Sequence, residues 1–163
     1  MDEYVGLSTD NPQSYHIDIK PKNINILNGN AKDLELECTE YERKIYWGRT
    51  DGVTDIDLFL CGIGSDGHIA FNEPGSSFNS RTRIKTLSEE TIIDNSRFFN
   101  NIEEVPTQAL TVGIKTIMDS AEIIIMASGI KKSQALLECI ENSISNQYTC
   151  TASQNHKSNY CLW

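Results

Sequence analysis

The run Ile56 to Leu60 is apolar but for Asp57, and it opens into C-G-I-G-S-D-G-H-I-A-F-N-E-P at Cys61 to Pro74. A short apolar run of this kind reads as a buried strand. Gly62, Gly64 and Gly67 then fall within six residues. Glycine lets a backbone turn sharply and lets another group approach closely. In open α/β sheets, ligands bind at the carboxyl ends of the strands, which is where such a bend sits. This one carries Asp66, His68 and Glu73, two carboxylates and an imidazole.

The rest of the chain is read around that strand. Asn23 to Leu27 alternates enough to predict a short strand, ended by Asn28-Gly29. Ala31 to Ile45 predicts a helix capped by Asn30, with Leu34, Cys38, Tyr41 and Ile45 on its apolar face. Trp47 to Thr54 reads as a loop, Ile56 to Cys61 as the second strand, and Pro74 to Ser80 as irregular and mobile. After Pro106 a short strand and a short helix are expected. Glu122 to Ala127 is a third strand, broken by Ser128-Gly129. Lys131 to Ile144 predicts a helix whose inner face carries Leu136, Leu137, Ile140 and Ile144. Beyond Asn146 the pattern fades, and Thr149 to Trp163 is polar with scattered Cys and Tyr. Strands alternating with helices predict an α/β domain with a parallel sheet and crossovers, one domain over residues 1–163.

Charge and cysteine content narrow the function. The net charge is −9 and the pI about 4.7. Nucleic acid and anionic membranes both need a basic face, so neither is an expected partner. A small anionic substrate remains open, because a cationic pocket can sit in an acidic protein. No apolar run approaches the roughly 20 residues of a membrane span. Met1 is followed by Asp2 and Glu3, the wrong charge for a secretory signal. Cys38, Cys61, Cys139, Cys150 and Cys161 form no C-x-x-C pair, so they read as reduced thiols of a cytoplasmic protein rather than a zinc or redox motif.

Histidine as a residue type suits proton transfer near neutral pH, which makes His68 a candidate for it. Asp66, two residues away, can fix its tautomer, and Glu73 can complete a relay. The plainer reading makes Asp66-Gly67 a turn, His68 a surface residue and Glu73 a cap. Lys132 is expected in the first turn of a helix after a strand, where backbone amides attract anions and a lysine opposes the helix dipole. Arg97 can grip phosphate oxygens in a fork, or be a plain surface arginine. Arg81, Arg83 and Lys85 form a basic patch that either binds an anion or keeps a strand edge charged against aggregation. Asp2 carries almost no signal of its own, because chain ends usually fray.

Together these residues resemble the glucosamine-6-phosphate deaminases (glucosamine-6-phosphate isomerases). The resemblance rests on M-D-E-Y-V-G-L at Met1 to Leu7, N-I-N-I-L-N-G-N at Asn23 to Asn30, and G-S-D-G-H-I-A-F-N-E-P at Gly64 to Pro74. S-R-T-R-I-K-T-L at Ser80 to Leu87, N-S-R-F-F at Asn95 to Phe99 and A-L-T-V-G at Ala109 to Gly113 extend it. It implies a three-layer, Rossmann-like parallel sheet with helices on both faces. It implies conversion of glucosamine 6-phosphate and water to fructose 6-phosphate and ammonia, a step of amino-sugar catabolism, with no redox cofactor or catalytic metal. His68 would open the pyranose ring, with Asp66 and Glu73 holding it. Asp2 would move the proton from the second carbon to the first through an enolamine. Arg97 and Lys132 would grip the phosphate. Ser76, Arg83, Lys85 and Thr86 match an allosteric pocket for N-acetylglucosamine 6-phosphate, found in members that form hexamers.

The chain departs from that family in places. Its members begin with a strand–helix–strand unit bearing a Gly/Thr-rich phosphate loop, which has no counterpart before Met1. A helical stretch is missing between His16 and Ile17, a few residues are added around Tyr46 to Thr54, and the tail after Asn146 matches weakly. The expectation is a shortened domain with little deaminase activity by itself. The alternatives are a 6-phosphogluconolactonase-like hydrolase on the same fold and a non-catalytic sugar-phosphate sensor.

Overall fold

The computed structural model describes residues 1–18, 24–47 and 54–162. Parts of the expected 23–27 strand and of the 47–54 loop lie outside these residues. In chain order the elements are β1 (Glu3–Tyr4), α1 (Tyr15–Asp18), α2 (Leu34–Ile45), β2 (Leu58–Gly62), β3 (Arg83–Thr86), α3 (Glu89–Ser96), β4 (Gln108–Thr111), α4 (Ile114–Met118), β5 (Glu122–Met126), α5 (Ser133–Glu141) and β6 (Asn159–Leu162).

Two small sheets organise them. β2, β5 and β6 form a parallel sheet in the order β2-β5-β6, with Leu60 opposite Ile124 and Ile124 opposite Tyr160. β1, β4 and β3 form an antiparallel sheet in that order, with Tyr4 opposite Ala109 and Lys85 opposite Ala109 on the other side. The α/β class and its parallel sheet are as expected. The antiparallel sheet is an addition, because β1 is two residues long and leaves no periodicity to read.

The core lies between the sheets and the helices. Leu27, Cys38, Tyr41, Ile63, Leu110, Ile117, Ile123, Ile125, Ala135 and Cys150 are buried together in it. α2 uses the predicted face: Cys38 and Tyr41 are buried and Leu34 and Ile45 pack partly against the core. Its cap is Asp33 rather than Asn30; the Asp33 carboxylate accepts from the Leu36 N–H at 2.9 Å. A carboxylate at that end complements the helix dipole, and an Asp side chain reaches the third amide.

Four expectations change. Residues Ile24 to Leu27 are not strand, although Leu27 is fully buried and its N–H donates to the Met1 carbonyl. α5 starts at Ser133 and turns Ala135, Leu136 and Cys139 inward; Leu137, Ile140 and Ile144 are exposed. Pro74 to Ser80 is irregular but tied down: Gly75 N–H donates to the Asn146 carbonyl, and the Ser80 hydroxyl oxygen accepts from Ile114 N–H. The polar tail is ordered structure. Thr149 to Asn155 forms a 3-10 helix with Thr149, Cys150, Thr151, Ala152 and Ser153 all buried, and β6 completes the parallel sheet.

β2 and β5 run parallel, so their carboxyl ends emerge side by side. The glycine-rich bend after β2 and the turn after β5 that carries Lys132 therefore meet.

Candidate functional site

A cavity of about 400 Å³ opens at those carboxyl ends, lined among others by Asp2, Tyr15, Gly64, His68, Arg97 and Lys132. Four of the residues singled out from the sequence thus face one space, from four separate stretches of chain.

His68 is held by the bend itself. Gly64 N–H donates to the His68 carbonyl at 2.8 Å, and His68 N–H donates to Asp66 Oδ1 at 3.1 Å. That curls the loop so that Nδ1 of His68 lies 2.8 Å from Asp66 Oδ1 and 3.9 Å from Glu73 Oε2. The Nδ1 contact with Asp66 is close but lacks the alignment of a full hydrogen bond. Catalytic hydrogen bonds often tighten only with substrate bound. A Cβ on Gly64 would sit 2.5 Å from both Asp66 Oδ1 and His68 Nδ1, so glycine here is what lets the two side chains stand as they do. Gly67 has φ +80°, and a side chain there would meet Tyr148 at 2.7 Å. Burial pushes the Asp66 carboxyl up, but the close His68 ring, its charge and the His68 N–H outweigh it and hold the group below its ordinary range.

Glu73 is buried and anchored, accepting from Ser88 N–H at 3.3 Å and from the Ser88 hydroxyl at 3.1 Å. Neither Glu73 nor Asp66 lines the cavity; both reach it through His68. Asp66 Oδ1, His68 Nδ1 and Glu73 Oε2 lie within 4.8 Å of one another, so among the described residues they are the three donors close enough to grip a cation. Each carboxylate already has protein partners.

Asp2 comes from the other sheet. Its Oδ1 accepts from Val112 N–H at 2.9 Å and its Oδ2 from the Thr111 hydroxyl at 3.1 Å. Chain-end fraying does not apply, because β1 next to it is paired with β4. Burial raises the Asp2 carboxyl above its ordinary value; Val112 N–H, the chain's amino group, Thr111 and Arg83 pull it down without cancelling that rise.

Arg97 caps the end of α3 and lies over the Phe98 ring at 4.7 Å. Lys132 sits at the capping position before α5, where no side chain satisfies the helix amides. Among the described residues neither cation has a carboxylate within ion-pair distance. Their charges are available to an anion in the cavity.

The four residues matched to an allosteric pocket do not share this cavity. Arg83, Lys85 and Thr86 are on β3, and Arg83 donates to Asn72 Oδ1 at 2.9 Å. Ser76 is buried with its hydroxyl unpartnered. Arg81 is engaged on the surface with Asp119 at 2.9 Å.

Three residues escaped the sequence reading. Asn72 is fully buried; its amide donates to the Ile69 and Val112 carbonyls while its oxygen accepts from Arg83. Thr111 accepts from Phe71 N–H at 3.1 Å while donating to Asp2, so it joins the bend to the carboxylate. Thr149, in the tail, accepts from Ile69 N–H and donates to the Asn72 carbonyl. Asn72 and Thr111 showed only as polar residues inside otherwise apolar or glycine-rich stretches, and Thr149 only as one polar residue of a polar tail.

Comparison with known proteins now decides the family. The model of the glucosamine-6-phosphate isomerases/6-phosphogluconolactonase family matches residues 10–163. The chain belongs to that family. Glucosamine-6-phosphate deaminase of Parabacteroides distasonis is 54% identical over 167 residues, covering 96% of this chain and 60% of the relative. That of Dictyostelium discoideum is 56% identical over 169 residues, covering 96% and 61%. A solved monomeric glucosamine-6-phosphate deaminase superposes with a TM-score of 0.89 at 44% identity, covering 99% of this chain and 69% of that one. A 6-phosphogluconolactonase from Trypanosoma cruzi, with a TM-score of 0.68 at 17% identity, shares the fold alone. The chain spans about three-fifths of the length of the curated relatives it matches. No described helix is long and apolar enough to cross a membrane.

Proposed function

We propose that this cavity is built to isomerise and deaminate glucosamine 6-phosphate, giving fructose 6-phosphate and ammonia. The observation that carries the reading is that Asp2, His68, Arg97 and Lys132 line one space of sugar-phosphate size, with Asp66 against the His68 ring from outside it. His68, backed by Asp66 and Glu73, shuttles the proton that opens the sugar ring. Asp2 is the base for the proton on the second carbon. Its raised affinity for protons suits it to take that proton and hand it to the first carbon. The resulting imine at the second carbon is hydrolysed by water, releasing ammonia. Arg97 and Lys132 bind the phosphate and hold the sugar in register; a charge-assisted fork adds orientation as well as affinity.

The allosteric role of Ser76, Arg83, Lys85 and Thr86, the hexamer and the cytoplasmic location belong to this proposal as well. The 44% identical relative is monomeric, so sedimentation of the purified chain has to separate monomer from hexamer. Turnover by these 163 residues is expected well below that of the Parabacteroides distasonis enzyme, since they match 60% of it. The test pairs two measurements on the purified chain. Glucosamine 6-phosphate should raise its melting temperature where glucosamine does not. Solvent deuterium should enter the second carbon of the bound sugar, more sensitively than ammonia release reports. Binding with no deuterium uptake would reduce the protein to a sensor; neither binding nor uptake would overturn the reading.

A further inference from the structure

Arg83 is a half-buried cation that leans on neutral groups. Among the described residues no carboxylate lies within ion-pair distance of it. Its guanidinium donates instead to Asn72 Oδ1 at 2.9 Å and to the Arg81 carbonyl at 3.3 Å. Taking a charge partly out of water against neutral groups is costly unless an opposite charge is felt nearby. The charge that Arg83 feels is Asp2. Burial opposes ionisation of both groups, and each of the two favours the ionised form of the other.

Asn72 links them. A guanidinium only donates, so Arg83 fixes the side-chain oxygen of Asn72 toward itself. The Asn72 amide nitrogen is thereby turned to two carbonyls, Ile69 at 3.0 Å and Val112 at 2.9 Å. Ile69 follows His68 in the bend, and Val112 follows β4. The Val112 N–H in turn holds Asp2 Oδ1 at 2.9 Å. Asn72 is fully buried, so a side chain facing the wrong way would leave two carbonyls without donors. We infer that Asn72, oriented by Arg83, is a positioning residue for Asp2: it clamps the residue that holds the carboxylate to the bend that holds His68. The inference rests on the reading of Asp2 as the base that serves two neighbouring carbons. A base with that task needs a fixed place, since about 1 Å of misplacement can cost roughly 100-fold.

NMR on the sugar-free chain tests this. Arg83→Gln removes the charge at a half-buried position and should leave the fold intact. It should raise the pH at which the Asp2 carboxyl titrates by about half a unit or more. It should also speed deuterium exchange at the Val112 amide about tenfold. The Leu110 amide, in the middle strand of the antiparallel sheet, should keep the parent's rate. Arg83→Lys returns the charge without the fork and should bring the Asp2 titration back toward the parent. Asn72→Asp keeps the shape and the Arg83 partner but turns a carboxylate oxygen on the two carbonyls. It should speed Val112 exchange at least as much and raise the Asp2 titration too. If Asn72→Asp does not fold, Arg83→Gln decides alone. Asp2 titrating as in the parent in Arg83→Gln overturns the inference. So does Leu110 exchange that quickens in step with Val112, since the pair would then be a plain support of the sheet. An Arg83→Lys that shifts Asp2 as far as Arg83→Gln overturns the part given to the charge. No sugar enters these measurements, so their failure leaves the proposed reaction standing, and a chain that turns over no sugar still reports on the clamp.

Discussion

The Thr111 hydroxyl links the two halves of the candidate site, accepting from Phe71 N–H and donating to Asp2 Oδ2, each at 3.1 Å. One oxygen thus fixes the loop that carries His68 relative to the carboxylate that faces it. Thr111→Val keeps the shape and removes both bonds. Phe71 N–H would be left buried without an acceptor, costing about 1–3 kcal/mol. Asp2 would lose one of the contacts that pull its proton affinity down, so it should titrate higher still. Urea unfolding checks the first effect and NMR titration of Asp2 the second. A variant with unchanged stability and an unmoved Asp2 would show that the bridge does not form.

Asp2 and Asp66 should affect stability with opposite signs as pH changes. Asp2 holds its proton above the ordinary value of 3.8 because it is buried. Between 3.8 and its raised value the folded state binds more protons than the unfolded chain, so stability falls as pH rises through that window. Asp66 is held below 3.8, its burial outweighed by His68. Its stabilising contribution is complete above 3.8 and is lost as pH falls through its folded value. Asp2→Asn should therefore be more stable than the parent near neutrality, and Asp66→Asn less stable. Both differences should shrink on acidification. Urea midpoints from neutrality down to about pH 3 test this. Parallel curves for the two variants would contradict it.

Gly64→Ala probes the bend. A Cβ there would sit 2.5 Å from Asp66 Oδ1 and His68 Nδ1, so the acid–base pair has to move. Both atoms end flexible side chains, and the fold can yield at a cost near 1 kcal/mol. Proton transfer tolerates far less, since a misplacement of about 1 Å can cost roughly 100-fold. Deuterium uptake at the second carbon should fall by that order while the melting temperature moves by a few degrees. Equal loss of stability and exchange would point to unfolding instead.

Much of this was legible beforehand where backbone pattern and chemistry coincide. The apolar run before Cys61, the helical face of Cys38 and Tyr41, and the apolar Glu122 to Met126 strand each carry their own periodicity. The bend announces its acid–base trio because glycines and titratable groups crowd together. Other features had no such signature. Asp2 reached the candidate set only through the M-D-E-Y resemblance; what holds it in place is β4, far off in sequence. The tail looked irregular because its burial is polar. Thr149 and Thr151 spend their hydroxyls on backbone groups inside the fold, and hydropathy cannot register that. The run at Ile56 to Leu60 reads as buried on both faces, yet Leu58 and Leu60 stand exposed. Apolar character reports what a strand needs covered, not whether these residues supply the cover.

Lys132 offers the sharpest separation of binding from structure. It sits at the amino end of α5, where the helix dipole disfavours a positive charge. Without ligand, Lys132→Ala should stabilise the chain by a few tenths of a kcal/mol. With ligand, the same change should remove a charge-assisted contact to phosphate and weaken glucosamine 6-phosphate binding about tenfold or more. Arg97→Ala should weaken binding similarly, and Arg97→Lys should recover part of it, because the charge returns without the fork. Glucosamine lacks the phosphate and should bind all three variants as it binds the parent. Calorimetric titration with both sugars, beside thermal melts without ligand, measures each effect. A purely structural lysine would lower melting temperature and affinity together. The expected result for Lys132→Ala is that they move in opposite directions.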